Sequence, residues 1–325
     1  MTQQTVSPLL NTRALPFAWK QALPLLVVIA LVIFFSLNTD AFATVRNFSA
    51  IAGQASALLI ACIGLTFVIL MGCIDLSVGA MVLLVAAATV TLMNSMGLMY
   101  SALPLALLIG GVLGVLNGVV YTFGRVPSFV VTLGSLSIFS GLALTLLQGR
   151  AVAYQALEFE SIAIGQLIPH VPNIALWALL AWLLSVFVAH RTRFGRYSYL
   201  IGGGERVAHT AGIPVRRYKI YAFCASGVFA GLAGILSVAR LGAAGPSLGS
   251  DLLLNSLAAI VVGGTSLAGG NGGPQRTLVG VLIIALMDNG LNLLSVTEFM
   301  QMVIKGAVVI AAVLTGRQPA QNVVK

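Results

Sequence analysis

Two opposite charges stand alone in otherwise apolar stretches of the chain. Asp288 lies about seven residues before the end of one hydrophobic run, and Lys305 about seven residues into the next. Each alone in hydrocarbon would cost about 2.5–3.5 kcal/mol, so equal depth on successive helices favours a pair. The pair can serve packing alone, or Asp288 can also line a route together with Asn292, one helical turn away. Asn117, Thr132, Ser135 and Asn289 are further polar residues in apolar runs. Hydroxyls and amides of this kind give a polar solute many weak contacts, although they also join neighbouring helices.

A second concentration of chemistry lies between His190 and Lys219. It holds Arg191, Arg193, Arg196, Arg206, Arg216, Arg217 and Lys219 against one acid, Glu205. Gly202, Gly203 and Gly204 are free to turn, and Glu205 to Ala211 is long enough for two helical turns. Glu205 suits the positive end of that helix, Gly212 suits its C-terminal stop, and Pro214 blocks continuation. The expected element is a short helix, slim at Ala208 and Ala211, able to sit in a groove of a partner or to remain a solvated loop.

Catalysis finds no support. No GxxxxGK[ST] loop is present to cradle phosphates, and neither a Ser/His/Asp set nor a paired-carboxylate arrangement is evident. Leu267-Ala-Gly-Gly-Asn271 is a span-end turn by its surroundings. Cys62, Cys73 and Cys224 sit among apolar residues without CxxC spacing and read as small hydrophobes. No metal-ligand cluster is expected.

These residues must be positioned by a membrane bundle. The chain has 325 residues, 59% hydrophobic and only 8% charged, with mean hydropathy +1.03. A soluble domain carries about 25% charged residues. The net charge of +9 comes from loops, which argues against nucleic-acid binding. Ten spans are expected, near 22–38, 48–71, 77–96, 102–123, 128–147, 173–190, 219–240, 254–268, 277–295 and 299–316. The eighth is short enough to be tilted, broken or partly re-entrant. The residues Ala41-Phe42-Ala43 resemble a cleavage site, but the preceding run is long and more membrane follows, which favours an uncleaved first span.

With the N-terminus inside, Arg13, Lys20, Arg125, the seven cations of the basic loop, Arg276, Arg317 and Lys325 fall inside, while Arg46, Arg150 and Arg240 fall outside. Asp40, Glu158, Glu160, Asp251 and Glu298 also fall outside. This asymmetry favours an even number of spans with both termini cytoplasmic. The reading is an all-α, single-domain bundle over 1–325, with a cytoplasmic segment at 1–21, a basic cytoplasmic loop at 191–218 and a tail at 317–325. Gly72 to Asp75 is the natural hairpin between spans two and three. Asp75 is expected to cap the third span through freed first-turn amides, with Ser77 and Gly79 in the same turn; an added gating part stays open. Gly72–Gly79 can be laid on Gly263–Gly270, a faint echo of duplicated halves. Gly110, Gly114 and Gly118, and separately Gly227 and Gly231, recur every four residues and notch one helix face for close packing or a subunit contact.

Taken together, five motifs carry a resemblance over roughly residues 45–315. Gly202-Gly-Gly-Glu-Arg-Val-Ala-His-Thr-Ala-Gly-Ile213 resembles the cytoplasmic coupling loop of ribose-type sugar permeases of bacterial ABC importers. Gly72-Cys-Ile-Asp-Leu-Ser-Val-Gly79, Pro127-Ser-Phe-Val-Val-Thr-Leu-Gly134, Gly263-Gly-Thr-Ser-Leu-Ala-Gly-Gly270 and Asn289-Gly-Leu-Asn-Leu-Leu294 follow in the order of that family. The resemblance implies a multi-pass inner-membrane subunit, a second permease (identical or not), two cytosolic ATPase subunits that bind ATP and magnesium, and a periplasmic sugar-binding protein. It carries coupling over to Gly204, Glu205, Arg206, Ala208, His209 and Gly212. Ser140 and Asp288 depart from the usual arginine and asparagine, and 271–276 is atypical. The rival class is an ion-coupled secondary transporter, for which only Asp75 and Asp288 qualify as coupling acids; a scaffold that moves nothing is the third.

Overall fold

A computed structural model describes residues 17–315; Arg13, Arg317 and Lys325 lie outside them. The chain folds into helices α1 (Phe17–Asn38), α2 (Val45–Leu70), α3 (Val78–Met96), α4 (Ala102–Gly124) and α5 (Ser128–Leu147). A short strand β1 (Val152–Ala153), a 3-10 turn (Leu157–Glu160) and α6 (Ser161–Ile164) follow. Then come α7 (Asn173–Arg191), α8 (Arg193–Gly203), α9 (Glu205–Thr210), α10 (Val215–Leu241), β2 (Ala243–Ala244), α11 (Leu252–Val262), α12 (Pro274–Leu293) and α13 (Glu298–Thr315). Seven of these, α2 to α5, α7, α10 and α12, are long and apolar enough to cross a membrane. The apolar outer faces of α5 and α7 are exposed while α2 and α3 are buried almost all round. That inversion is what a bundle bathed in lipid requires.

The glycine runs explain the tightest contact. They meet each other within the chain: a Cβ on Gly110 would strike the Gly227 carbonyl, one on Gly114 the Phe223 carbonyl, and one on Gly231 the Ala106 carbonyl. Helices α4 and α10 therefore touch backbone to backbone, with no room for side chains.

The expected turn between spans two and three is present, but it is not a span-end hairpin. Helix α2 stops at Leu70, and residues 71–77 fold back into the bundle before α3 begins. Asp75 there is fully buried and reaches Ser226, the twelfth residue of α10. At 1.5 Å per residue that is roughly 16 Å along the helix from Val215. The eighth span, expected at 254–268, ends as a helix at Val262. It starts deep as well, where Gly249 backs directly on buried Gly79. Residues 263–273 form a glycine turn with left-handed backbone at Gly264, Gly269 and Gly270, which no helix can accommodate. The two turns that echo each other in sequence touch: the Gly270 amide donates to the Leu70 carbonyl at 2.9 Å, beside the Gly202 end of α8.

Two segments differ from expectation. The basic stretch 191–218 is not a loop with one helix. Thr192 caps α8 by accepting from the Gly195 amide, and Gly202 and Gly203 are its last residues rather than a free turn. Phe194 packs on Phe67 and Tyr218, and Ile201 is buried, which ties α8 to α2 and α10. At the other end, β1 pairs antiparallel with β2, and Tyr154 with Phe159 closes over the end of α10, the Tyr154 hydroxyl donating to the Ala239 carbonyl.

Candidate functional site

Helix α9 stands at the basic end of the bundle. Gly204 has an extended backbone that separates it from α8, and Gly212, at φ +80°, reverses the chain after it. The helix has one inner and one outer face. Ala208 is 3% exposed and Ile213 is buried, whereas Arg206, His209 and Thr210 are exposed and Val207 is 72% exposed. Ala208 therefore faces the bundle and seats the helix on it. Glu205 is also committed inward, its carboxylate 2.8 Å from the Lys219 ammonium. The side chains of α9 that face outward are Arg206, Val207, His209 and Thr210; Arg206, His209 and Thr210 border a concavity of about 910 Å³ lined also by Arg216 and Arg217. The outward direction of Val207 was not legible in sequence, because a lone valine in a basic stretch carries no signal of direction.

Asp75 and Ser77, read as one turn in sequence, are joined inside the bundle to Asn117, Thr132 and Ser135, read separately from it. Asp75 Oδ1 accepts from the Ser77 amide at 2.9 Å and from the Ser77 hydroxyl at 2.6 Å, and Oδ2 accepts from the Ser226 hydroxyl at 2.9 Å. The Asn117 side-chain amide donates to Ser77 Oγ at 2.8 Å, and the Ser135 hydroxyl donates to Asn117 Oδ1 at 2.6 Å. Thr132 Oγ1 accepts from the Leu76 amide at 3.0 Å and donates to the Ser128 carbonyl one turn back at 2.9 Å, with the Ile74 carbonyl also near at 3.3 Å. The carboxylate thus binds Ser77, which sits at the N-cap of α3, and not the first-turn amides of the helix as expected. The reason is that the chain bends at Leu76, so the Asp75 carboxylate folds back onto the residue two positions on. Gly79, expected in the same turn, lies instead in the first turn of α3 and serves the close approach of Gly249. Ser226 and Ser128, which accepts from the Ile74 amide, were not legible in sequence.

The third cluster borders a cleft of about 710 Å³ at the end opposite α9, between α2, α11, α12, α13 and residues 243–251. Asp288 and Lys305 pair at 3.1 Å, and the ammonium also reaches Asn255 Oδ1 at 3.4 Å. Asn292 Oδ1 accepts from the Gln301 amide at 2.8 Å. Asn289 points away from the cleft: it exchanges two amide bonds of 2.9 Å with Asn47 and locks α12 to α2. Asp251, read in sequence only as an outside acid, and Asn255 and Gln301 also line the cleft, a placement no motif distinguishes from ordinary span-end residues. Among the described residues no group of three or more His, Cys, Asp or Glu side chains is placed to hold a metal.

The pair gives a direct expectation. Asp288→Ala or Lys305→Ala leaves a partner charge in a nearly closed site, at about 3–5 kcal/mol. Each single change should reduce assembled protein in detergent and uptake in cells. The swap Asp288→Lys with Lys305→Asp should recover part of both; a swap no better than the singles would remove the pairing.

Comparison with known proteins is consistent across the chain. The family described as branched-chain amino acid transport system / permease component matches residues 47–313. The ribose import permease protein RbsC of Escherichia coli (strain K12) is 38% identical over 323 residues, covering 97% of this chain and 98% of that protein. RbsC of Bacillus subtilis (strain 168) is 38% identical over 297 residues, 91% of this chain and 92% of that protein. The D-allose transport system permease protein AlsC of Escherichia coli (strain K12) is 36% identical over 293 residues, 90% of each. No solved structure matches the chain. The buried membrane bundle, the match over most of its length and these relatives lead to one assignment: the chain belongs to this permease family, in its ribose-type ABC importer branch, and is a multi-pass inner-membrane protein.

Proposed function

We propose that the chain is the sugar-conducting permease subunit of an ABC importer, moving a pentose- or hexose-class sugar into the cytoplasm by alternating access. Its observational basis is the split face of α9, seated through Ala208 and Glu205 and presenting Arg206, Val207, His209 and Thr210 outward. A short helix bound this way passes its movement to the bundle beneath it, which suits a lever driven by separate ATPase subunits. Those subunits bind ATP and magnesium. A periplasmic binding protein delivers the sugar to the opposite end, and a second permease, identical or not, completes the membrane part in the lipid bilayer.

In this reading α1, α11 and α13 join the seven long helices to give ten spans, α11 together with the segment leading into it. Both termini and α9 face the cytoplasm, as the distribution of cations favours. The cleft bordered by Asn255, Asn292 and Gln301 receives the sugar, since amides and a carboxylate offer hydroxyl groups several weak contacts rather than one tight site. ATP-driven closure of the ATPases presses α9 and opens the bundle toward the binding protein; release of ADP and phosphate returns it.

The test is uptake of labelled ribose, with allose in parallel, by cells carrying the complete importer. Expected are copurification of an ATPase subunit, loss of uptake when ATP is depleted, and persistence when ion gradients are collapsed. Uptake that follows the ion gradient and not ATP would replace this reading with secondary transport.

A further inference from the structure

The polar turn at 71–77 and helix α9 are separate features of the fold, yet one unbroken chain of contacts links them. Glu205, the first residue of α9, is 60% exposed at its side chain, while its partner Lys219 on α10 is 6% exposed. The Lys219 ammonium also donates to the Tyr121 hydroxyl of α4 at 2.7 Å and lies 5.1 Å from the centre of that ring. The Cys73 thiol meets the same hydroxyl at 3.4 Å. Cys73 is two residues from Asp75, whose carboxylate anchors the turn through Ser77 and Ser226. The ring of Tyr121 packs on Phe223, which fixes its direction.

An ion pair serving only to hold α9 in place would be complete at Glu205 and Lys219. Here the cation is shared with a tyrosine that is itself bonded to the broken connection between α2 and α3. The pair thus joins an exposed, movable end to a buried, fixed one. Rotation or translation of α9 changes the pull on Lys219, and a shift of Lys219 alters the one side-chain hydroxyl that holds Cys73. Residues 73–76 lie between α2 and α3 and are held largely by side chains of other helices, Ser128, Thr132 and Ser226, so a pull on Cys73 is passed to those helices.

We propose that Lys219 and Tyr121 are positioning residues that carry movement of α9 into the turn 71–77. This rests on the proposed function, because it needs an ATPase that moves α9. The turn then bears on α5 through Asn117 and Ser135, so a push at the basic end reaches the middle of the bundle.

Cys73, buried at 2% exposure, is a built-in reporter. The experiment measures its alkylation by a membrane-permeant maleimide in the purified complex of permease and ATPase, with and without ATP and vanadate. Loss of the signal in Cys73→Ala identifies it. In the wild-type complex the rate should change about fivefold between the two states, the factor expected when one neutral hydrogen bond is made or lost. Tyr121→Phe, which leaves the Glu205–Lys219 pair intact, should keep the ATPase bound and lose that nucleotide response; Lys219→Met should lose the response and also loosen the seat of α9. Exchanging the charges, Glu205→Lys with Lys219→Glu, should restore part of it, which separates the relay from a plain folding defect.

Tyr121→Phe removes one oxygen and leaves the ring packed, so it stays informative if Lys219→Met does not fold. A wild-type nucleotide response retained by Tyr121→Phe, or absent from the wild type although ATP is hydrolysed, overturns the relay and leaves the proposed function standing. Failure of the wild-type chain to bind any ATPase overturns both.

Discussion

Replacing Gly114 with leucine will abolish assembly of the bundle. The Cβ alone would collide with the Phe223 carbonyl on α10, and the same collision repeats at Gly110, Gly227 and Gly231. Overpacking in an ordinary core costs about 1–3 kcal/mol because side chains shift. Here the obstacle is backbone, so two helices must separate along their whole contact. Separation also pulls Asn117 from Ser77 and Tyr121 from Lys219, which breaks buried hydrogen bonds. A fluorescent fusion of Gly114→Leu should lose its monodisperse peak in size-exclusion chromatography. Gly134→Leu, at a site with open space around it on α5, should retain the peak. Equal behaviour of the two variants would refute the backbone contact.

The second large effect concerns α9. Val207→Asp with Arg206→Glu should leave the permease in the membrane and cut ATPase recruitment about 30-fold or more, the loss typical of a central interface residue at about 2 kcal/mol. Both side chains are exposed, so the fold has no stake in them. Ala208→Leu should act differently, because Ala208 faces the bundle: it should unseat α9 and lower the yield of folded protein. Gly212→Ala places a Cβ in left-handed backbone and should cost about 1 kcal/mol, a milder version of the same unseating. Quantitative pull-down of the ATPase subunits separates these outcomes. Normal recruitment by the Val207/Arg206 variant would remove the outer face of α9 as the docking surface.

Much of this architecture could be read from residue order. Long apolar runs marked the helices, Glu205 and Gly212 marked the start and stop region of α9, and glycines four apart marked the α4–α10 contact. Asp288 and Lys305 were legible as a pair because two isolated charges at equal depth have few other partners. The depth of Asp75 was not legible. Hydropathy shows where apolar residues continue, and it cannot show that α3 begins partway into the bundle when residues 71–77 are nearly as apolar as their surroundings. Helix α8 was hidden for the opposite reason: Phe194, Tyr197 and Ile201 form an apolar stripe among Arg193, Arg196 and glycines, and the charge obscures the period. The partnerships Ser226–Asp75, Asn47–Asn289 and Asn255–Lys305 join residues far apart in the chain. No local pattern encodes them.

The seating of α9 and its outward face carry the functional reading, and its side of the membrane is open to direct measurement. A cysteine placed by Val207→Cys is labelled with a membrane-impermeant maleimide in intact spheroplasts and in inverted vesicles, with the parent chain as the background control. Labelling only in inverted vesicles, blocked when the ATPase subunits are bound, is the expected result. Labelling in spheroplasts, or labelling in vesicles that bound ATPase does not reduce, would contradict a lever on the cytoplasmic side driven by a separate motor.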